Sequence, residues 1–183
     1  MAFRNSKTLY GEQGHQGRWF GIVETKKSVI IDFDYTDDYI NEVKLPKKDY
    51  LIIDLSCGNG GSGSASWTFA KTLKKSKYKK IIIITNDTTS ASENLVQLLS
   101  DDQRVIKIGL NTNGRHRIST SKGHRFSIEK KFYFGSGEID DVKFNSDLRN
   151  IEGIGYLPDI WADNMDDVLK NIWNITGDTD IKR

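Results

Sequence analysis

The stretch YLIIDLSCGNGGSGSASWTFAKTLKKSKYKKIIIIT, residues 50–85, contains the pattern that decides the fold. Its first six residues, Tyr50 to Leu55, form an apolar run typical of a buried strand. Four glycines follow within the nine residues of Ser56 to Ser64, and that much backbone freedom indicates a loop. Apolar residues then recur at the four-residue spacing of one helix face: Ala65, Phe69 and Leu73. The branched run Lys80 to Thr85 predicts a strand covered on both faces, as in a parallel sheet.

The segments on either side repeat this alternation. Upstream, Ser28 to Tyr35 predicts a first strand, and a polar, helix-compatible stretch separates it from Tyr50. Downstream, a polar turn at Asn86 to Glu93 precedes the apolar face of a second helix, which includes Leu95, Val96, Leu98 and Leu99. Arg104 to Leu110 predicts the next strand. Consecutive strand, helix, strand units indicate an α/β layered fold with a mostly parallel sheet and right-handed crossovers.

The pattern changes after Gly114. The segments His116 to Ser119 and His124 to Phe134 alternate in polarity, which predicts antiparallel strands. Near the end of the sequence, Asp163 is predicted to cap a last helix. The apolar stripe of that helix comprises Met165, Val168, Leu169 and Ile172.

Composition bounds the function classes. The 183 residues carry 27 Lys+Arg and 25 Asp+Glu, a formal net charge of +2, which fits one globular domain. We expect an N-terminal segment over residues 1–27 and a folded core over residues 28–183. No apolar run approaches the roughly 18 residues of a membrane-spanning helix. Because Cys57 is the single cysteine, an internal disulfide and a Cys-based zinc site are excluded.

Charge patterning and the N-terminal residues address partners and location. Six of the ten residues from Lys71 to Lys80 are lysines, but no aromatic-interleaved basic motif accompanies them, so a solvated helix face is favoured over nucleic-acid binding. No secretory signal is visible. The expectation is therefore a cytoplasmic protein if the chain is complete, with no cofactor, and the sequence does not determine its oligomeric state.

Two loops follow the strands at the edge where open α/β sheets gather their chemistry: Ser56 to Ser64 and Asn86 to Glu93. A phosphate site is one reading of the first loop, but Ser64 and Ala65 stand where a P-loop has its Lys and hydroxyl residue. A methyl-donor site of a methyltransferase is a second reading, although the first acid after the Lys80 to Thr85 strand, Asp87, comes late for it.

The third reading joins the two loops in one site. A Ser between a strand and a helix can act as a nucleophile, because the helix dipole and the following backbone N–H stabilise an oxyanion. Thr89, Ser90 and Ser92 lie at such a turn. The glycine loop on the adjacent strand could supply a second N–H. From composition alone, hydroxyl residues before a helix are more often caps than nucleophiles.

Four ordered motifs carry a family resemblance. They are DLSCGNGG at 54–61, TTSASEN at 88–94, TNGR at 112–115 and EGIGYLPDI at 152–160. They resemble the motifs D-L-R-x-N-x-G-G, T-x-S-A-S-E, T-x-G-K and E-G-x-G-x-x-P-D of the tail-specific, or C-terminal processing, serine peptidases, over about residues 28–175. The resemblance implies a core related to the Clp-protease and crotonase fold, with a peptide or protein substrate hydrolysed through an acyl-enzyme.

The resemblance assigns roles by position. Ser90 matches the nucleophile, and the N–H groups of Ala91 and of Gly60 or Gly61 match the oxyanion hole. Ser92 and Glu93 become supporting residues of the turn. Glu152 matches a carboxylate that completes the active site of tricorn, a relative that uses Ser, His and Glu.

The departures from the family pattern concern the general base. Ser56 replaces the Arg of the glycine motif, and Arg115 stands where the family has its Lys. A guanidinium keeps its charge and cannot accept the Ser proton. Histidine is the natural replacement: His15 ranks first, by its order along the chain in tricorn-like members, and His116 second.

The family's PDZ domain has no counterpart between Ser28 and Asp54, because only 25 residues intervene. Three functions therefore remain: a serine peptidase, an inactive relative that binds peptides, and a methyltransferase.

Overall fold

A computed structural model describes residues 20–33, 36, 38–115, 119–128, 132–139 and 153–182. The described strands are β1 (Phe20–Glu24), β2 (Ser28–Phe33), β3 (Tyr50–Asp54), β4 (Lys80–Thr85), β5 (Val105–Gly109), β6 (Ser119–Ile128), β7 (Phe132–Ile139) and β8 (Ile160–Trp161). The described helices are α1 (Gly63–Lys74), α2 (Ala91–Leu98) and α3 (Met165–Thr176), with a 3₁₀ turn at Asp38–Asn41.

One six-stranded sheet organises the molecule, in the order β1-β2-β3-β4-β5-β8. Strands β1 and β2 are antiparallel, and every other neighbouring pair is parallel. Strands β6 and β7 form a separate antiparallel ribbon. The predicted α/β class, with a mostly parallel sheet and antiparallel strands after Gly114, is confirmed.

Apolar side chains cover both faces of the sheet. On β4, Ile81 and Ile83 enter one core cluster and Ile82 and Ile84 enter the other. Helices α1 and α2 contribute to the first cluster, and α3 contributes to the second. This three-layer arrangement explains why the β4 sequence is continuously apolar rather than alternating.

Three local predictions differ from the structure. Strand β1 was not predicted; it pairs with β2 at the sheet edge, so its extended form depends on a tertiary partner. Helix α2 begins at Ala91, before the apolar run, because its polar first turn is buried in the site described below. The N-cap of α3 is Asn164, not Asp163, since the Asn164 side chain accepts the Asp167 N–H.

The connection between β2 and β3 also differs from expectation. In its described part it contains only the 3₁₀ turn Asp38–Asn41 and then runs as an irregular strap to Asp49. Pro46 disfavours helical backbone at the residue before it and removes an N–H donor. None of the described helices is long and apolar enough to cross a membrane.

Candidate active site

Ser90 lies at the turn between β4 and α2, as the N-cap of the helix. Its backbone has φ 55° and ψ −122°, and it is the only non-glycine residue with positive φ in the described part of the chain. Such a conformation is costly for a residue with a Cβ and is found where function or surrounding contacts maintain it. The Ser90 side chain is half-buried.

Gly60 packs directly against Ser90. Its φ is 99°, and a Cβ added to it would lie 2.8 Å from the Ser90 Cβ and 3.2 Å from the Ser90 Oγ. The same point lies 3.6 Å from the backbone nitrogen of Ala91. The structure therefore brings the glycine loop, the Ser90 hydroxyl and the start of α2 together, with no space for a side chain between them.

The neighbouring Gly61 is held by Thr36. The Thr36 N–H donates to the Gly60 carbonyl and the Ser62 N–H donates to the Thr36 carbonyl, each at 2.7 Å. A Cβ on Gly61 would collide with the Thr36 carbonyl oxygen. These two hydrogen bonds fix the course of the glycine loop beside Ser90. The sequence around Thr36 did not predict this contact.

The glycine loop is also tied to the turn that carries Ser90. The Thr88 hydroxyl donates to the Leu55 carbonyl at 2.7 Å, and the Thr89 N–H donates to the Gly58 carbonyl at 2.9 Å. These bonds extend the β3–β4 pairing beyond the ends of the strands. Both loops are therefore positioned by the sheet.

The Glu93 carboxylate is the hub of the site. Glu93 is fully buried, and its oxygens accept the N–H groups of Gly114 at 2.7 Å, Arg115 at 2.8 Å and Ser90 at 3.1 Å. The charged carboxylate thus accepts three backbone N–H groups from two separate segments of the chain, and hydrogen bonds to a charged acceptor are among the stronger ones. The Ser-x-x-Glu spacing of a capping box is the sequence signal that could have predicted the Ser90 bond.

The TNGR loop pairs with the segment that follows Glu152. Gly153 donates its N–H to the Gly114 carbonyl at 2.7 Å, and Thr112 donates to the Tyr156 carbonyl at 3.2 Å. Burial, assisted by the nearby Glu93 charge, raises the pKa of Tyr156 above its usual value, so the phenol is neutral at physiological pH. Tyr156 was not singled out from the sequence.

Arg115 reaches the site through its backbone. Its carbonyl accepts the Ser90 N–H at 3.0 Å, while its side chain is exposed. Among the residues that the structure describes, no three His, Cys, Asp or Glu side chains form a metal site. His15, His116 and Glu152 lie outside the described residues.

Comparisons with known proteins agree on the fold. No family model and no curated protein sequence matches the chain, but solved structures do. The photosystem II D1 C-terminal processing protease has a TM-score of 0.52 and 16% identity over 83% of this chain, which spans 47% of that protein. A lipoprotein from Streptococcus agalactiae has a TM-score of 0.58 and 16% identity, covering 87% of this chain and 70% of its own.

A chain from Bacteroides fragilis NCTC 9343, assigned to the S41 proteases, has a TM-score of 0.55 and 10% identity, covering 86% of this chain and 58% of its own. At such identities the likeness concerns the fold alone. The chain thus has the mixed α/β, peptidase-like fold of the S41 C-terminal processing proteases, and it spans about half the length of the D1 processing protease.

Proposed function

We propose that this chain is a serine-type peptidase that cleaves peptide bonds through an acyl-enzyme on Ser90. The observation that carries the proposal is the positive φ of Ser90 at a strand-to-helix turn, with Gly60 against its hydroxyl. Similar strained turns expose the nucleophile of other serine hydrolases. A purely structural N-cap needs no positive φ, since caps ordinarily adopt the β region.

In the proposed reaction, the Ser90 Oγ attacks the scissile carbonyl carbon while its proton passes to a base. The Ala91 N–H and the N–H of Gly60 or Gly61 donate to the oxyanion, and the positive end of the α2 dipole supports them. Collapse of the tetrahedral intermediate releases the amine, which takes the proton. Water then gives a proton to the same base and attacks the acyl carbon. Collapse of this second tetrahedral intermediate releases the carboxylic acid, and the base returns the proton to the Ser90 Oγ.

The base is proposed to be a histidine. Arg115 cannot serve, because its guanidinium stays charged and its side chain is exposed. His15 and His116 are the two proposed bases, and Glu152 is the proposed partner that orients the imidazole. The peptidase core is proposed to span residues 28–183, without a PDZ insertion; His116 and Glu152 belong to it, and His15 belongs to the N-terminal segment.

A non-catalytic, peptide-binding relative is the second candidate. Arg115 at the family's Lys position favours it, because a chain that had lost its base would keep the fold and the groove. Packing of Gly60 and Gly61 against Ser90 and Thr36 argues against the methyl-donor reading, since the loop lies on protein rather than around an open cradle.

Labelling with a fluorophosphonate probe tests the proposal. We expect the wild type to be modified at Ser90, located by peptide mass spectrometry, and Ser90→Ala to lose the label. Ser100→Ala, which removes an exposed hydroxyl, is the matched control and should label as the wild type does. Labelling that persists in Ser90→Ala, or that maps to Ser92, would overturn the assignment.

The pH profile of labelling tests the base. A histidine base predicts a rate that rises through about pH 6.5 and then levels off. His15→Ala and His116→Ala should separate the two candidates, because only the variant that lacks the base should lose the inflection. The non-catalytic alternative would be supported instead by two results together: the wild type is not labelled, and the Ser90→Ala variant still binds peptide.

A further inference from the structure

Gly61 forms an isolated parallel β-bridge with Thr36 on one edge of the glycine loop. The bridge consists of the Thr36 N–H bond to the Gly60 carbonyl and the Ser62 N–H bond to the Thr36 carbonyl, each at 2.7 Å. These two bonds use the outer groups of the two peptide units that flank Gly61, and not the N–H and C=O of Gly61 itself. Gly61 is partly exposed, so a ligand can approach its backbone.

The bonds to Thr36 determine where the backbone groups of Gly61 point. In a trans peptide unit the C=O and the N–H point in opposite directions. Because the Gly60 carbonyl points at Thr36, the Gly61 N–H points away from Thr36. Because the Ser62 N–H points at Thr36, the Gly61 carbonyl points away as well. Among the described residues, neither of these two Gly61 groups takes part in a backbone hydrogen bond.

The edge of the loop that faces away from Thr36 is the edge next to Ser90. In the sheet order β2-β3-β4, Thr36 follows β2, the glycine loop follows β3, and the turn that carries Ser90 follows β4. Backbone pairing on the β4 side continues beyond the strands as far as the Thr89 N–H bond to the Gly58 carbonyl, at 2.9 Å. The chain then enters α2, so the described structure places no strand beside Gly61 on this edge.

We propose that Gly61 binds the substrate backbone as one residue of a β-ladder, with a substrate strand in the position that β4 leaves when it turns into α2. The Gly61 N–H donates to the carbonyl that Ser90 attacks, and the Gly61 carbonyl accepts the N–H of the same substrate residue. This exchange of two bonds is the hydrogen-bonded pair of an antiparallel ladder. Addition of an extended peptide to an open sheet edge is a general mode of recognition.

The antiparallel direction is assigned because it places both bonds on the acyl side of the scissile bond. The residue on that side stays on the protein in the acyl-enzyme, whereas the residues beyond the bond leave with the amine. The Gly61 carbonyl therefore holds the acyl group while water attacks it. The substrate class is an extended polypeptide whose attacked residue carries an N–H, which excludes proline at that position. The inference rests on the proposed function and adds a substrate-binding group to it.

Two matched phosphonate probes test the proposal. The first is acetyl-trialanine with its carboxyl group replaced by a diphenyl phosphonate, from which the Ser90 Oγ displaces one phenoxide while its proton passes to the base. The second has an oxygen in place of the N–H of the last residue. Each rate of Ser90 modification is divided by the rate of the same probe with hydroxide. We expect the amide probe to react about three to ten times faster, as one net hydrogen bond would give.

A change at the Gly61 carbonyl completes a double-mutant cycle. Replacing Ser62 by its α-hydroxy acid converts the peptide bond between Gly61 and Ser62 into an ester, whose carbonyl is a weaker acceptor. The ratio of the amide-probe rate to the ester-probe rate should then fall about threefold. The same α-hydroxy acid at Ser64, an exposed serine two residues further along, is the matched control and should keep the wild-type ratio.

A small fluorophosphonate, which has no peptide backbone, separates failure of this inference from failure of the proposed function. If it labels Ser90 but the wild type reacts equally with the two phosphonates, Ser90 remains the nucleophile and the inference about Gly61 is wrong. An unchanged ratio in a Ser62 variant that the fluorophosphonate still labels would also overturn it. If no probe labels Ser90, both proposals are wrong. Should the Ser62 variant fail to fold, the two rates in the wild type still decide.

Discussion

At the scale of single residues, Glu93 explains how Ser90 keeps an unfavourable backbone conformation. Its carboxylate binds the Ser90 N–H directly and binds the loop of Gly114 and Arg115, whose carbonyl accepts the same Ser90 N–H. A residue keeps a strained backbone conformation only when several surrounding contacts hold it there. One buried side chain thus connects the turn, the helix start and the loop that follows β5.

Replacing Glu93 by Gln should destabilise the fold by about 1–3 kcal/mol. In the wild type a carboxylate oxygen accepts a backbone N–H, whereas in the variant the amide NH₂, a donor, would face that N–H. Urea unfolding at pH 7 measures this change. Glu42→Gln removes a carboxylate from an exposed residue and should lie within about 0.5 kcal/mol of the wild type. Equal stabilities of the two variants would contradict the role given to Glu93.

At the scale of elements, helix ends were harder to predict than helix faces. The stripe of α3 was predicted correctly: Val168, Leu169 and Ile172 are buried. Its start was placed one residue early. Asp163 and Asn164 are both good capping residues, and only the backbone geometry determines which of them accepts the N–H of Asp167. The helix ends at Gly177, whose φ of 61° is the left-handed C-cap conformation.

Removing the Asn164 side chain should cost about 1 kcal/mol, because the Asp167 N–H would lose its acceptor at 2.9 Å. Asn164→Ala and Asp163→Ala compare the two candidate caps, with thermal unfolding as the measurement. We expect Asp163→Ala to shift the midpoint much less than Asn164→Ala. The opposite order would mean that Asp163 is the cap after all.

At the scale of the whole molecule, Asp178 joins the end of the described chain to its beginning. The buried carboxylate accepts hydrogen bonds from the hydroxyls of Thr25 at 2.5 Å and Ser28 at 2.6 Å. Burial alone raises the pKa of Asp178, but these hydroxyls, with backbone N–H donors, outweigh it and hold the pKa below its ordinary value. The β1–β2 turn and the segment after α3 are thereby joined.

Because the folded pKa of Asp178 is depressed, its contribution to stability is present above the unfolded pKa of about 3.9 and is lost as pH falls through the lower folded value. Asp178→Asn should therefore be less stable than the wild type by about 1–2 kcal/mol at pH 7. The difference should shrink below about pH 4. Urea unfolding at pH 7, 5 and 3.5 measures it, and a difference that stays constant across this series would contradict the assignment.

The sequence by itself determined the layered fold, because its main signals are local. Burial is visible in the apolar runs of β3 and β4 and in the helix stripes, and backbone freedom is visible in the glycine loop. Each of these signals lies within a short stretch of neighbouring residues. The motifs around Gly60, Ser90 and Arg115 were also readable in order along the chain.

Only the tertiary structure decided how those motifs meet. The positive φ of Ser90, the Thr36 bridge to the glycine loop and the three N–H groups on Glu93 join residues distant in sequence. Strand β1 is of the same kind, since its pairing partner is a property of the assembled sheet. The physical reason is that propensity acts between near neighbours, whereas packing and hydrogen-bond satisfaction act between whatever surfaces the fold brings together.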